Sequence, residues 1–253
     1  MRIRVIPSLL IHKGGLVKSV QFKNYKYIGD PINAVKIFNE KEVDEIAIID
    51  IDASRDNRPP NFEMIAELAS EAFMPMSYGG GITNLDQIKR ILQSGFEKVI
   101  LNKALHTHPD LVTKASQLIG SQSVVASIDI KKSLFGGYKV YFDNGQNSIS
   151  IKPEVFAKDL ENAGVGEILI NNIDADGTYK GYDLELIQRI TTNVNIPVIA
   201  LGGASNVDDF YKAKNAGASA VGAGSMFCFQ RPHQAVLISY PTQKEFKEKL
   251  FKP

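Results

Sequence analysis

The stretch PMSYGGGITNLD (75–86) returns about 120 residues later as PVIALGGASNVD (197–208). Each copy runs from a proline through a short apolar segment to a Gly-Gly pair, then to an asparagine and an aspartate at fixed spacing. An apolar run of this length bounded by glycine reads as a buried strand, and the glycines read as the tight turn that leaves it. The residues after each turn have helical periodicity. LDQIKRILQSG (85–95) puts Leu85, Ile88, Ile91 and Leu92 on one face, and VDDFYKAKNAG (207–217) does the same with Val207, Phe210 and Ala213. Each copy is a strand–turn–helix unit.

Outward from these copies, the same offset carries Pro31 onto Pro153, Glu45 onto Glu167 and Asp52 onto Asp174. Strand-like runs EIAIIDID (45–52), KVILN (98–102), EILINNID (167–174) and SAVGAGSMF (219–227) alternate with helical patterns, which argues for a parallel sheet of βα units. A repeat of about 120 residues is too long for a solenoid and fits a duplicated half-barrel. The expected fold is α/β, a (β/α)8 TIM barrel built from two duplicated (βα)4 half-barrels. It is expected to form one domain over residues 1–253, with halves at about 1–120 and 121–230 and a divergent segment at 231–253. The competing architecture is a doubly wound open sheet.

Composition narrows the partners. The chain of 253 residues is 44% hydrophobic and 23% charged, with a formal net charge of +1. Such a balance supplies a full core and no bulk attraction to nucleic acid or to a membrane surface. Cys228 alone cannot make a disulfide framework or a thiolate metal cluster. Arg2, Arg4 and His12 interrupt the N-terminal apolar runs, and no stretch approaches the roughly 20 apolar residues of a membrane helix. A cytoplasmic protein without metal or cofactor is expected. The metal-like spacing of His106 and His108 reads as a solvated helix entry before Pro109.

A barrel of this kind carries its chemistry at the C-terminal ends of its strands. Gly80–Gly81 and Gly202–Gly203 each sit between a strand and a helix N-terminus, where exposed N–H groups and the helix dipole favour an anion. Tight βα turns also need glycine for their own sake. Two such turns at related positions, completed by Asn102–Lys103 and Gly224–Ser225, suit a ligand with a phosphate at each end. A second internal comparison sets IPSLLIHKGG (6–15) beside VVASIDIKK (124–132). Ser8 matches Ser127 and Leu9 matches Ile128, but Leu10 stands where the later copy has Asp129. The segment LFGGYKVYFDNGQNSISI (134–151), with an Asn144–Gly145 turn, is expected to lie beside the fifth strand as a lid or rim. Lys131 and Lys132 read either as solvated or as facing phosphate.

The motifs RVIPSLL (4–10), FKNYKYIGDP (22–31), YGGGI (78–82), SQSVVASID (121–129), IDADGTYKGYD (173–183) and ALGGASN (200–206) resemble the HisF family, over about residues 2–229. These proteins are the cyclase subunits of imidazole glycerol phosphate synthase. The resemblance implies a HisH-like glutaminase partner whose ammonia rises through the barrel. At the top it cleaves a bis-phosphorylated aminoimidazole carboxamide ribonucleotide and closes an imidazole ring. It also implies an ammonia gate at Arg4, Glu45, Lys98 and Glu167, with Glu97 touching the glutaminase. Lys18 corresponds to the lysine of a mobile first loop. Asp174, Asp176, Gly177 and Ser225 fall in the second phosphate region. Asp50 and Gln122 correspond to polar residues near the reaction centre, and either could equally be an orienting neighbour or a buried hydrogen-bond partner.

The departures carry as much information. The family works with two catalytic aspartates as a general acid–base pair. Asp129 matches one, and Leu10 holds the place of the other. His12 lies on the same strand face about 6–7 Å further on and is the available substitute. The segment RPHQAVLISYPTQKEF (231–246) replaces the usual start of the last helix. Both departures are similar to HisF paralogues of surface-polysaccharide gene clusters, which are thought to supply ammonia to a sugar-amidating enzyme. The expected function is a HisF-type synthase subunit of a glutamine amidotransferase in sugar amidation. The alternatives are the cyclase of histidine biosynthesis and a non-catalytic ammonia conduit.

Overall fold

The structure is a computed structural model that describes residues 2–133 and 136–251. Eight parallel strands form its centre: β1 (Arg4–His12), β2 (Ile46–Asp50), β3 (Met76–Gly79), β4 (Lys98–Leu101), β5 (Val124–Lys132), β6 (Glu167–Asn172), β7 (Val198–Leu201) and β8 (Ala220–Ala223). They pair in chain order, and β1 pairs with both β2 and β8, so the sheet closes on itself. Closure excludes the open doubly wound sheet and gives the (β/α)8 barrel. The helices between the strands are α1 (Pro31–Glu40), α2 (Phe62–Glu71), α3 (Leu85–Gln93), α4 (Pro109–Ile119), α5 (Pro153–Asn162), α6 (Leu184–Thr191) and α7 (Val207–Asn215). Among the described residues no helix is long and apolar enough to cross a membrane.

Strand alternation divides the core in two. Val5, Leu9 and Ile11 point outward from β1 into the layer shared with the helices. Ile6 points inward and joins Ala47, Ile100, Val125, Leu169 and Ile199 in a separate apolar cluster that fills the lumen. The helices begin on sequence signals. Asp30, Asn61, Asn84, Asp183 and Asn206 each accept a hydrogen bond from a first-turn backbone N–H, and Pro31, Pro109 and Pro153 stand in first-turn positions.

Three additions sit on this frame. After β1 the chain turns at Gly14 into a hairpin, Gly15–Val20 with Lys23–Gly29, whose first strand pairs antiparallel with β1. After β5 a second hairpin, Tyr138–Phe142 with Asn147–Ile149, pairs antiparallel with the end of β5. This is the expected rim, although Leu134 and Phe135 at its start lie outside the described residues. The divergent C-terminal segment forms a small pair of strands, Phe229–Gln230 with Ala235–Val236, and ends in helix α8 (Gln243–Lys249). Phe246 and Leu250 are fully buried, and Tyr240 Oη donates to the Val5 carbonyl at 2.9 Å. The segment therefore returns to pack on the barrel, and its last residues, 252–253, lie outside the described range.

Candidate functional site

At the N-terminal mouth, inward positions of four strands carry charge. Arg4 opens β1, Glu45 precedes β2, Lys98 opens β4 and Glu167 opens β6. The Arg4 guanidinium donates to both Glu45 and Glu167, and the Lys98 ammonium stands 3.0 Å from each of the same two carboxylates. The four residues predicted to gather at this end thus form a closed ring of alternating sign. Both carboxylates are almost fully buried. Burial works against the charge on Arg4, but the carboxylates on either side outweigh it and hold its pKa above the ordinary value. Removing one member would strand a buried charge, a loss of about 3–5 kcal/mol. Glu97 is exposed at this end of the barrel. So is Phe73, 93% exposed in the loop between α2 and β3.

At the opposite mouth lies a pocket lined by both Leu10 and Asp129. Asp129 accepts from Asn102 Nδ2 at 3.1 Å and from Asn171 Nδ2 at 3.4 Å. Burial pushes its carboxyl up to about 7, with the two amides pulling the other way. A carboxyl poised there can take up and release a proton near neutrality, which is the requirement for general acid–base work. Strands β1 and β5 are four apart in the ring of eight, so Leu10 and Asp129 come from opposite sides of the barrel. Their neighbours differ in the same sense. The register partner of Leu10 on β2 is Ile49, and that of Asp129 on β6 is Asn171. Ile49 and Asn171 are related by the offset that relates the Gly-Gly turns. At these paired positions the first half contributes two apolar side chains and the second half two polar ones.

Lys18 and Asp176 also reach this pocket, as does Gly224. Lys18 is buried on the first hairpin and its ammonium donates to the Ser8 carbonyl. Burial lowers its pKa, opposed by the nearby Cys228 and Asp176. A Cβ on Gly224 would stand 2.5 Å from the Lys18 nitrogen, so glycine makes the space that the lysine fills. Burial raises the Asp176 carboxyl, and Lys18 opposes it. Gly177, at φ 70, packs on the backbone of Ser19, and Gln21 N–H donates to the Asp176 carbonyl at 3.0 Å. These contacts seat the first hairpin on the loop after β6.

The Gly-Gly turns have a packing cause beside any ligand. A Cβ on Gly80 would strike the Asp50 carbonyl, and one on Gly202 would strike the Asn172 carbonyl, its counterpart in the other half. Gly81 is pressed against the Arg58 carbonyl and Gly203 against that of Gly181. The helix starts beyond them are capped by the chain itself. Asn84 accepts from Gln87 N–H at 3.0 Å while Gln87 Oε1 accepts from Thr83 N–H at 2.7 Å. Asn206 and Asp209 repeat the arrangement with Ser205. First-turn donors expected to face an anion are thus partly taken. Gly80, Gly81 and Asn102 line the pocket, whereas Gly202, Gly203 and Ser225 are not among its lining residues. The Ser225 carbonyl accepts from Tyr179 Oη at 3.1 Å, and Arg231 of the divergent segment lies over the Tyr179 ring and donates to Ser205 Oγ at 3.0 Å.

Several expected residues are placed elsewhere or held otherwise. Gln122 lies in the short turn Ser121–Ser123 that precedes β5, exposed at the N-terminal end and far from the pocket. Proximity in sequence to Asp129 misleads here because the strand between them spans the barrel. His12 does not line the pocket. Its Nδ1 lies 2.8 Å from Asp52 and its ring stacks on Tyr25, so it cannot stand in for a carboxylate at position 10. Asp50 lines the pocket, yet both its oxygens are 2.8 Å from Arg58 and one caps the backbone of Asp52 and Ala53. It organises the turn after β2. Asp174 is exposed and accepts from Lys132 N–H at 2.8 Å. Lys131 binds the Gly145 carbonyl in the turn of the second hairpin, and Lys132 pairs at 3.3 Å with Asp183, the N-cap of α6. His106 stacks on Phe142.

Sequence reasoning missed Ser127, Ile49 and Asn171, which line the pocket. A signal for Asn171 existed. EILINNID reads as a buried strand, and position 171 shares the parity of Glu167, already assigned to the lumen.

The family model described as "Histidine biosynthesis protein" matches residues 4–232. Similar proteins include hisF2 of Pseudomonas aeruginosa, 51% identical over 95% of this chain and 96% of that one. Another is HisF of Leptospira interrogans, 45% identical over 99% of each chain. Both of those names assign an imidazole glycerol phosphate synthase subunit provisionally. The imidazole glycerol phosphate synthase subunit HisF of Thermobifida fusca is 36% identical over 90% of this chain and 91% of that one. A family match along most of the barrel, with relatives aligned over nine-tenths or more of both chains, establishes that this chain belongs to the HisF family.

Proposed function

We propose that the protein is the synthase subunit of a glutamine amidotransferase. It takes ammonia from a HisH-like glutaminase at its N-terminal face and passes it through the lumen to a phosphorylated acceptor at the top. On this reading the product is an amidated sugar destined for surface polysaccharide, made with a further sugar-amidating enzyme. The observation that carries the reading is the contrast between the two mouths. The charged ring below is intact in all four members, whereas in the pocket above Leu10, paired with Ile49, holds the position across the barrel from Asp129 where the family resemblance implies a carboxylate. A missing acid–base group costs about 10²–10⁴-fold in rate, or roughly 3–5 kcal/mol of barrier. Phe73, the most exposed large apolar residue among the described residues and in a loop at the N-terminal end of the barrel, suits a partner's docking face.

The cyclase of histidine biosynthesis is the second reading. It is favoured by Asp129, whose carboxyl is held near neutrality inside the pocket, and by relatives such as the Thermobifida fusca HisF.

Charge reversal at the ring tests the conduit. In the complex with its glutaminase, Lys98→Glu is expected to lower glutamine-driven product formation at least tenfold while ammonium-driven formation persists. Unchanged glutamine-driven turnover would overturn the gate. The acceptor is tested separately: given ammonium and the bis-phosphorylated ribonucleotide, the wild-type protein is expected to cyclise little. Turnover near one per second would decide for the cyclase.

A further inference from the structure

Above the inner pocket the two hairpins flank a second cavity, a groove of about 490 Å³. It is bounded by the turn of the first hairpin, Arg55 after β2, Lys131 at the end of β5 and the turn of the second hairpin. Tyr25, Arg55 and Asn144 line both cavities, so the groove opens into the pocket that holds Asp129. The inner pocket alone offers about 120 Å³, below the roughly 300–1,000 Å³ of ordinary small-molecule sites. An acceptor that reaches Asp129 therefore leaves much of its bulk in the groove.

The two cavities differ in chemistry. Asp50, Asp129, Asp143 and Asp176 line the pocket, whereas the described lining of the groove has Lys23, Arg55 and Lys131 and no carboxylate. Arg55 divides its charge between Asp52 at 2.8 Å and Asp56 at 3.0 Å. Among the described residues Lys23 and Lys131 make no ion pair, and the Lys131 ammonium meets the Gly145 carbonyl at 2.9 Å and the Tyr141 ring. Tyr25, 36% exposed, stands at the groove wall with its ring stacked on His12. Cations without carboxylates suit a phosphorylated group, and an aromatic ring beside them suits a flat base. Lys131 lies two residues beyond Asp129 on the same face of β5, about 6–7 Å further out. That step is roughly the width of one sugar ring.

We propose that the groove between the hairpins binds the nucleoside diphosphate of a nucleotide-activated sugar, with the sugar directed into the inner pocket toward Asp129. Lys23 and Lys131 hold the diphosphate, and Tyr25 carries the base. The inference rests on the amidotransferase reading and names the class of its acceptor.

Calorimetric titration of the full chain with UDP, dTDP, GDP, CDP and inorganic pyrophosphate, at fixed salt, is the test. At least one nucleotide is expected to bind tenfold or more tighter than pyrophosphate. For that nucleotide, Lys23→Glu is expected to weaken binding at least fivefold. Lys23 is exposed, so this variant keeps the fold. Lys89→Glu, on the exposed side of α3, makes the same change in net charge and is expected to leave the affinity unaltered. Tyr25→Ala is expected to weaken the nucleotide at least fivefold and pyrophosphate not at all, while Tyr25→Phe retains the wild-type affinity. The site is overturned if no nucleotide exceeds pyrophosphate tenfold or if Lys23→Glu acts no more strongly than Lys89→Glu. It is also overturned if Tyr25→Ala spares the nucleotide or weakens both ligands alike. These titrations involve no glutaminase. Failure of Lys98→Glu to uncouple glutamine would overturn the conduit with the nucleotide affinities intact, and failure of the titrations would leave the ring as it stands.

Discussion

Asp129 shows how one residue acquires its chemistry from its surroundings. Burial raises its carboxyl from the ordinary aspartate value of 3.8 to about 7, so between those limits the folded protein holds a proton that the unfolded chain releases. The group's contribution to stability is therefore full below pH about 4, declines as pH rises to about 7, and stays low above that. The loss is at most about 4 kcal/mol. Asp129→Asn removes the titration and leaves the rest of the protein's pH dependence in place. Its stability relative to wild type is expected to be roughly 2–4 kcal/mol more favourable at pH 8 than at pH 4, read from urea unfolding at both. An equal effect at the two values would mean that water reaches the carboxyl freely. The residue type and its place at the end of a strand were legible in VVASIDIKK. The pKa was not, because the Asn102 and Asn171 amides and the buried setting come from other strands.

At the scale of elements, the Gly-Gly turns show a motif with two simultaneous causes. Read alone, GGGIT (79–83) and GGASN (202–206) suggest anion cups. In the fold, Gly80 and Gly202 are where the carbonyl at the end of the neighbouring strand comes closest, at matched positions of the two halves. Gly80→Ala is expected to destabilise by about 3 kcal/mol or more, since backbone must move to admit the methyl group. Gly14→Ala, at φ 80 with nothing within 4 Å, is expected to cost only about 1 kcal/mol. Thermal or urea unfolding of the two variants checks the contrast. Equal costs would remove close packing as the reason for Gly80. The C-terminal element behaves in the opposite way. Its departure was visible in RPHQAVLISYPTQKEF, but only the fold shows Phe246 buried and Tyr240 tied to the carbonyl of Val5. Tyr240 and Val5 are more than 200 residues apart in sequence.

At the scale of the molecule, the barrel is two related halves whose pocket walls have diverged. Leu10 with Ile49 and Asp129 with Asn171 are equivalent register pairs, one apolar and one polar. Introducing Leu10→Asp sets a carboxyl opposite Asp129, at some cost in stability because it stands beside Ile49. In a folded variant, ammonium-driven cyclisation of the ribonucleotide is expected to rise about 10²-fold over wild type. The gain is expected to vanish in the double variant Leu10→Asp/Asp129→Asn. A gain that survives in the double variant would show that the two carboxyls do not act as a pair.

The sequence by itself determined the barrel, its two-fold ancestry, the family and the charged residues of the lower mouth. Each of these is written in local periodicity or in a repeat at fixed spacing, and none depends on knowing what lies across the lumen. The tertiary structure alone decided which polar residues share a pocket. It moved Gln122 to the far end, turned His12 toward Asp52, left Gly202 and Gly203 out of the pocket lining, and brought Asn171 beside Asp129. A residue's end of the barrel and the direction of its side chain follow from strand register and closure. Those are relations between segments far apart in the chain, and no single stretch of sequence contains them.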